Sequence, residues 1–373
     1  MVTYPQDWNS LTLGDLGSIK MCRRIFSHQT EKSGQVPFYK IGTFGKKADA
    51  YISRDLYERY KSLYPYPKKG DILISASGTI GRTVAFDGKD AYFQDSNIVW
   101  LDTSDEEVDS AFLKYFYESY PWTNLEGTTI RRLYNSLILS TFISLPSLPE
   151  QKDIAKTLSC IDTHISNLTE LIEKKKAIRD GALEDLISGK TRLGGFNDEW
   201  DKTTIGGILT ILHGRNQKDV ESFDGKYPIL GTGGVIGKAT EYLCDWECVL
   251  IGRKGTIDKP MYMNTPFWTI DTLYYSRPKV NQCVKYQYYL FCTIDWYAYT
   301  ESSGRPSLAK KVIEGIEVKI PKFEEQKAIV EVLSSLDAEI ASLEEEKDKM
   351  LQIKAGAMDD LLTGRIRLTR QGG

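Results

Sequence analysis

The feature that most constrains this chain is that it is written twice. Pro146-Ser-Leu-Pro-Glu150-Gln-Lys152 aligns with Pro321-Lys-Phe-Glu-Glu325-Gln-Lys327 at an offset of 175 residues. Held without a gap, that offset pairs Ile154 with Ile329, Leu158 with Leu333, Asp162 with Asp337 and Ile165 with Ile340. It continues through Gly181-Ala182 and Gly356-Ala357, Asp185-Leu186 and Asp360-Leu361, Gly189 and Gly364, and Arg192-Leu193 and Arg367-Leu368. Roughly 20 of about 48 positions are identical, far above chance for an ungapped match. The segments between are only dimly alike. Trp8 with Leu13-Gly14 resembles Trp200 with Ile205-Gly206, and Gly78-Thr-Ile80 resembles Gly255-Thr-Ile257. Glu126-Gly-Thr-Thr-Ile-Arg-Arg-Leu133 matches Glu301-Ser-Ser-Gly-Arg-Pro-Ser-Leu308 weakly, with its glycine displaced. The 373 residues therefore divide into dissimilar segments 1–145 and 194–320, each followed by a similar one, 146–193 and 321–373.

Both similar segments read as long helices. Ile154, Leu158, Ile161, Ile165 and Leu168 alternate steps of four and three, as do Ile329, Leu333, Leu336, Ile340 and Leu343. That spacing averages 3.5 residues and specifies a coiled-coil seam. Pro146, Pro149 and Pro321 stand just before each helix, where proline is tolerated, and Gly189 and Gly364 are C-cap signals. Each helix is expected to hold roughly 38 residues and to reach about 55 Å. A two-in-seven apolar stripe needs a partner, and the partner at hand is its own copy. Antiparallel pairing of the two helices predicts an approximate two-fold axis, with the dissimilar domains at opposite ends of a spacer.

The dissimilar segments read as mixed and strand-rich, so the fold class is α+β. Asp71-Ile-Leu-Ile-Ser75, Asn97-Ile-Val-Trp-Leu101 and Cys248-Val-Leu-Ile251 are short β-rich runs. Ala111–Tyr117 and Tyr286–Phe291 read as helices near the end of each segment. The glycine run Gly231-Thr-Gly-Gly-Val-Ile-Gly237 lacks the Lys-Ser/Thr ending of a phosphate-binding loop and is read as a tight turn. No Gly-x-Ser-x-Gly elbow, His-Glu-x-x-His pair or Cys-x-x-Cys couple is present, and His28, His164 and His213 are too scattered for a metal site. Six unclustered cysteines fit a reduced, cytoplasmic protein better than a disulfide scaffold. Met1-Val-Thr-Tyr-Pro-Gln-Asp-Trp8 lacks the basic start and apolar stretch expected of a signal peptide, and no apolar run approaches the roughly 20 residues that cross a bilayer.

A formal charge of −3 advertises no nucleic-acid partner globally. Basic and hydroxyl side chains nevertheless gather around the matching loops. In the first half they are Lys46, Lys47, Ser77, Thr79, Arg82, Arg131 and Arg132. In the second they are Arg215, Thr232, Lys238, Arg253, Lys254, Thr256, Arg305 and Lys310. Such groups hold phosphates and read base edges, although each taken singly is an ordinary surface residue.

Taken together, the duplicated Pro-x-x-x-Glu-Gln-Lys start, the Asp-Leu-(Ile/Leu)-(Ser/Thr)-Gly-(Lys/Arg) exits, Trp8 and Trp200, and the Gly-Thr-Ile loops resemble the specificity subunits of Type I restriction-modification systems. The resemblance covers essentially the whole chain. It implies two target recognition domains, each reading half of a split, asymmetric site in double-stranded DNA. It also implies helices that set the gap and dock two modification subunits, with restriction/translocase subunits completing the complex. The chain would then be non-catalytic and hold no cofactor, S-adenosylmethionine, ATP and Mg belonging to the partners. The competing expectation is a coiled-coil scaffold carrying two domains for ligands other than DNA, and an autonomous nuclease or methyltransferase is a weaker one.

Overall fold

The computed structural model describes residues 4–104, 106–122, 132–300, 304 and 306–368. The fold is α+β and forms two compact units, Met1–Leu168 with Glu346–Gly373, and Thr169–Glu345. These units do not follow the four sequence segments. Each takes one dissimilar segment together with part of both long helices.

The first unit runs β1 (Asn9–Thr12), α1 (Leu13–Leu16), β2 (Gly17–Lys20), β3 (Val36–Tyr39), β4 (Tyr51–Ile52), α2 (Arg54–Leu63), β5 (Ile72–Ser75), β6 (Thr83–Ala85), β7 (Tyr92–Phe93), β8 (Ile98–Thr103), α3 (Ser110–Ser119), α4 (Asn135–Leu139) and β9 (Phe142–Leu145). Helix α5 (Leu148–Ser188) follows, taking Pro149 into its first turn. The second unit holds β10 (Asp201–Thr204), α6 (Ile205–Ile208), β11 (Leu209–His213), β12 (Tyr227–Gly231), β13 (Gly234–Ala239), β14 (Cys248–Gly252), β15 (Met261–Met263), β16 (Trp268–Thr269), β17 (Leu273–Pro278), α7 (Val284–Thr293), α8 (Lys310–Gly315) and β18 (Glu317–Ile320). Helix α9 (Phe323–Leu362) closes the series.

The two units are wired alike. In the first, β1 pairs with β9, a four-stranded sheet runs β2-β8-β5-β6, and a three-stranded sheet runs β4-β3-β7. In the second, the same places are taken by β10-β18, β11-β17-β14-β15 and β13-β12-β16. Even the one parallel pairing recurs, β3 with β7 and β12 with β16. The duplication therefore extends through the segments whose sequences have diverged. Continuous apolar runs are enough to preserve a sheet while the loops change, and β5 and β14 are buried along their whole length.

Within each unit the long helices run antiparallel. In the first, Lys354 reaches Asp162 at 2.7 Å and His164 reaches Glu346 at 3.2 Å. In the second, Arg179 bonds Asp337 at 2.8 Å, Lys175 meets Glu339 at 2.6 Å and Lys176 meets Glu344 at 2.9 Å. Rising numbers on one helix meet falling numbers on the other. The apolar stripe is loaded unevenly. Ile154 and Leu158 lie in one buried cluster with Leu13, Ile138 and Ile143 of their own domain and with Leu361 and Leu362 of α9. Ile329 and Leu333 do the same with Ile205, Ile313 and Tyr286, joined by Leu183, Leu186 and Ile187 of α5. Leu168 and Ile340 are buried, whereas Ile161, Ile165, Leu336 and Leu343 stay half-buried.

The repeated motifs build a clasp. Arg192, just beyond α5, forms a bidentate pair with the buried Glu325 at 2.6 and 2.7 Å, and its guanidinium lies 5.6 Å from the Trp200 ring. Arg367, just beyond α9, pairs with Glu150, bonds both oxygens of Asp7 at 3.0 Å and lies 5.7 Å from the Trp8 ring. Hydrogen bonds to Glu325 raise the Arg192 pKa, and those to Asp7 and Glu150 raise that of Arg367. Gly189 and Gly364 sit at φ +72 and +70, and a Cβ on Gly364 would meet Pro5 at 2.5 Å. Glycine is demanded there by both backbone and space.

A second repeated lock joins helix to domain. Tyr115 donates to Asp162 at 2.9 Å and Tyr289 to Asp337 at 2.6 Å, each carboxylate also taking the cation of the other long helix. Burial works to raise the Asp162 pKa, but the bonds from Lys354 and Tyr115 outweigh it and hold the carboxyl below its usual range. A lowered folded pKa contributes stability above the unfolded value near 3.9, and that contribution is lost as pH falls through the folded pKa. Asp162→Asn is therefore expected to be less stable than the parent at neutral pH, with a gap that narrows below about pH 4. Thermal unfolding measured between pH 3 and 7 checks this, and a gap independent of pH would assign the loss to packing.

Candidate nucleic-acid interface

Four loops of the first unit are tied into one surface. The β5–β6 loop is closed on itself, with the Gly81 N–H donating to Ser75 O at 3.0 Å and the Arg82 N–H to Ser75 Oγ at 2.9 Å. Gly78 and Gly81 take φ +65 and +81. This loop is bonded to the β7–β8 loop, the Ala76 N–H donating to Asn97 O and the Ser77 hydroxyl to Asn97 Oδ1, each at 2.8 Å. Arg82 Nη1 reaches Phe44 O at 3.1 Å and draws in the β3–β4 loop that carries Lys46 and Lys47. Arg132 Nη2 donates to Ser96 O at 2.9 Å, and the Leu133 N–H to Ala76 O at 2.8 Å. Lys46, Lys47, Thr79 and Arg132 are exposed, and Ser77 and Arg82 half-buried. Beside them opens a cavity of about 420 Å³ lined by Arg24, Phe26, Lys40, Asn97 and Arg132 among others.

The second unit repeats this construction with other side chains. The Arg253 N–H donates to Thr272 O at 2.8 Å and the Leu308 N–H to Arg253 O at 2.9 Å, the counterparts of Ala76–Asn97 and Leu133–Ala76. Arg253 Nη1 reaches Asp271 O at 3.2 Å. A guanidinium thus bonds a carbonyl of the matching loop in both units, but it arrives from the segment before α4 in the first and from the loop after β14 in the second. The Arg215 N–H donates to Thr269 O at 2.8 Å, and Trp268 Nε1 donates to Arg215 O at 3.0 Å. The Ile270 N–H bonds Leu230 O at 3.2 Å, which places the β12–β13 turn and Thr232 at the same surface.

Of the residues singled out from sequence, Lys46, Lys47, Ser77, Thr79, Arg82 and Arg132 are brought together in the first unit. Arg215, Thr232, Arg253, Lys254 and Thr256 gather in the second, Lys254 bridging to Ser307. Lys238 stands further down β13, opposite Pro228. Lys310 is engaged 3.7 Å from Glu314, which itself accepts the Ile211 N–H, so it belongs to the α8 frame. Arg131 and Arg305 lie outside the described residues, as do the loop residues 127–129 and 302–303. The tight turn read from Gly231–Gly237 is a β-hairpin turn. Sequence reasoning missed Gln94, whose Oε1 accepts the Ile41 N–H at 2.9 Å, and Asn97, both of which tie loops together. It also missed the exposed apolar pair Val235 and Ile236, whose signal was two β-branched residues inside a glycine run.

Among the described residues no group of His, Cys, Asp and Glu is placed to hold a metal ion, and no helix is long and apolar enough to cross a membrane. Comparison with known proteins agrees with the geometry. The family model of the type I restriction modification DNA specificity domain matches residues 5–177 and 197–352. The type I restriction enzyme MjaVIII specificity subunit of Methanocaldococcus jannaschii is 23% identical over 414 residues, covering 98% of this chain and 94% of that protein. A Haemophilus influenzae protein named as a type I restriction enzyme specificity subunit is 55% identical over 160 residues. That match spans 43% of this chain and less than half, 42%, of the relative's length. The crystal structure of a Type-I restriction-modification system S subunit from M. genitalium shares the fold, with a TM-score of 0.67 at 20% identity over 97% of both chains. With one match over each sequence repeat, the chain belongs to the family of type I restriction-modification DNA specificity subunits and carries two copies of the specificity domain.

Proposed function

We propose that the chain reads a split, asymmetric DNA site, with segments 1–145 and 194–320 as recognition domains and one half-site for each loop cluster. One observation carries this reading: two frames with the same strand order present different side chains at the same loops. Equivalent frames would approach DNA in equivalent ways, while unlike loops would meet unlike bases. Helices α5 and α9 set the gap between half-sites and offer the surface on which two modification subunits dock. In this reading the partners supply adenine methylation with S-adenosylmethionine, and ATP- and Mg-dependent cleavage and translocation. The chain itself contributes recognition, in the cytoplasm. Phosphate contacts are shared with those partners, which is consistent with a formal charge of −3.

The test is to change the helices and leave the loops alone. Four residues inserted after Leu168 and four after Glu345, facing positions on the two helices, add about 6 Å, roughly two base pairs of rise. Methylated adenines mapped after co-expression with the modification subunit are expected to show unchanged half-sites separated by a longer gap. Altered half-site bases with an unchanged gap would refute the assignment of spacing to the helices.

A further inference from the structure

We propose that the tip of the β12–β13 ribbon reads thymine, with Val235 and Ile236 meeting the C5-methyl group of a thymine in the major groove of the second unit's half-site. This rests on the DNA-recognition reading above and adds to it a base, a groove and two residues.

The ribbon is shaped for close approach. Its pairing sets Leu230 opposite Val235 and Ile229 opposite Gly237, so Ile236 is an extra residue, a bulge in β13. A bulge opposes two residues to one, twists the strand and re-aims side chains, and bulges are over-represented beside functional sites. Here it leaves two consecutive β-branched residues exposed, Val235 at 68% and Ile236 at 52%. Ile236 leans over Gly231, whose missing Cβ would stand 3.2 Å from Ile236 Cγ2. A Cβ on Gly233 or Gly234 would meet nothing within 4 Å, so the turn presents bare backbone. A two-stranded ribbon fits the major groove, about 12 Å wide, where apolar side chains contact the thymine methyl.

The surroundings specify the occupant. Arg215 and Arg253 are bonded to the β16–β17 segment that lies beside this turn, and Lys254 follows Arg253. Among the described residues no ion pair involves Arg215, Arg253 or Lys254, which sit on the segments bonded beside the turn, while on the far side of the bulge Glu221 Oε1 comes within 3.2 Å of where a Cβ on Gly237 would stand. That combination suits a polyanion bearing methyl groups. The first unit lacks the device. In its corresponding loop the large apolar residues Ile41 and Phe44 both pack into its own core, Phe44 at 1% exposure, leaving Lys46 and Lys47 at the surface. The inference is therefore specific to one half-site.

The experiment uses the full chain in complex with its modification subunit and duplexes carrying the mapped site. Each thymine is replaced in turn by uracil, which removes only the methyl group. At one or more positions of a single half-site, uracil is expected to weaken wild-type binding roughly fourfold per methyl lost. The same substitutions should leave binding by the V235S/I236S variant unchanged, and the other half-site should be read identically by both proteins. Equal uracil effects in wild type and variant, no uracil effect in either half-site, or a second half-site without an A·T pair would overturn the proposal. Loss of complex assembly by V235S/I236S, with no uracil effect in the wild type, would assign the tip to a protein partner instead. Failure of the wild-type complex to bind its mapped duplex in a salt-dependent way would overturn the recognition reading itself.

Discussion

Gln326→Leu is expected to lower the stability of the second unit by about 2–4 kcal/mol, and Gln151→Leu to do the same in the first. Each glutamine is 1% exposed, the second residue of a Glu-Gln pair that the duplication preserved. Gln326 Oε1 accepts the N–H of Cys283, the N-cap of α7, at 2.9 Å, and its Nε2 donates to Pro321 O at 3.0 Å. Gln151 repeats both contacts with Asp109, the N-cap of α3, at 2.8 Å and with Pro146 O at 3.0 Å. One side chain thus satisfies a donor at the start of a domain helix and an acceptor just ahead of the long helix. Leucine fills a similar volume but leaves the buried proline carbonyl and the half-buried N-cap N–H without this partner, at about 1–3 kcal/mol each, partly offset by its apolar surface. Urea unfolding of the full chain measures the loss. Two variants as stable as the parent would show that the pair is preserved for a partner and not for the fold.

Leu158→Ala and Leu333→Ala are expected to cost about 2–5 kcal/mol each, against roughly 1 kcal/mol for Ile165→Ala or Leu343→Ala. All four occupy the same a/d stripe. Leu158 and Leu333 are completely buried and packed by domain side chains as well as by the opposing helix, while Ile165 and Leu343 are half-exposed. A cavity left where domain and two helices converge cannot collapse, whereas one on a two-helix stretch opens to water. Denaturation midpoints at constant m-value give the comparison. Equal losses at all four positions would mean that the stripe is a uniform coiled-coil seam, as its periodicity alone implies.

The heptad spacing was legible because a helix repeats every 3.6 residues and its apolar stripe must be buried. Periodicity does not say against what. That Ile154 and Ile329 serve domain cores as well as the opposing helix required the contacts. Arg192, Glu150 and Trp8 were visible as repeated letters, but their role as clasp members was not. Arg367 meets Asp7 across nearly the whole chain, and no local pattern encodes such a pairing. The candidate interface was legible only in part. Residues flanking the glycine turns were found, since turns carry glycine for a conformational reason. That Glu314 engages Lys310 was not legible, because the carboxylate comes within reach only once α8 forms.

By itself the sequence determined the duplication, the two long helices with their ends, the strand-rich character of what lies between, and the family that this pattern resembles. These are local or repetitive features, set by periodicity, caps and turn chemistry. Only the tertiary structure decided that the two divergent segments share one strand order, that Phe44 turns inward while Val235 and Ile236 stand in water, and which cations remain without a carboxylate. Those outcomes depend on residues far apart in the chain being brought within a few ångströms. Burial and hydrogen-bond pairing at such contacts are properties of the folded state, not of any stretch of letters.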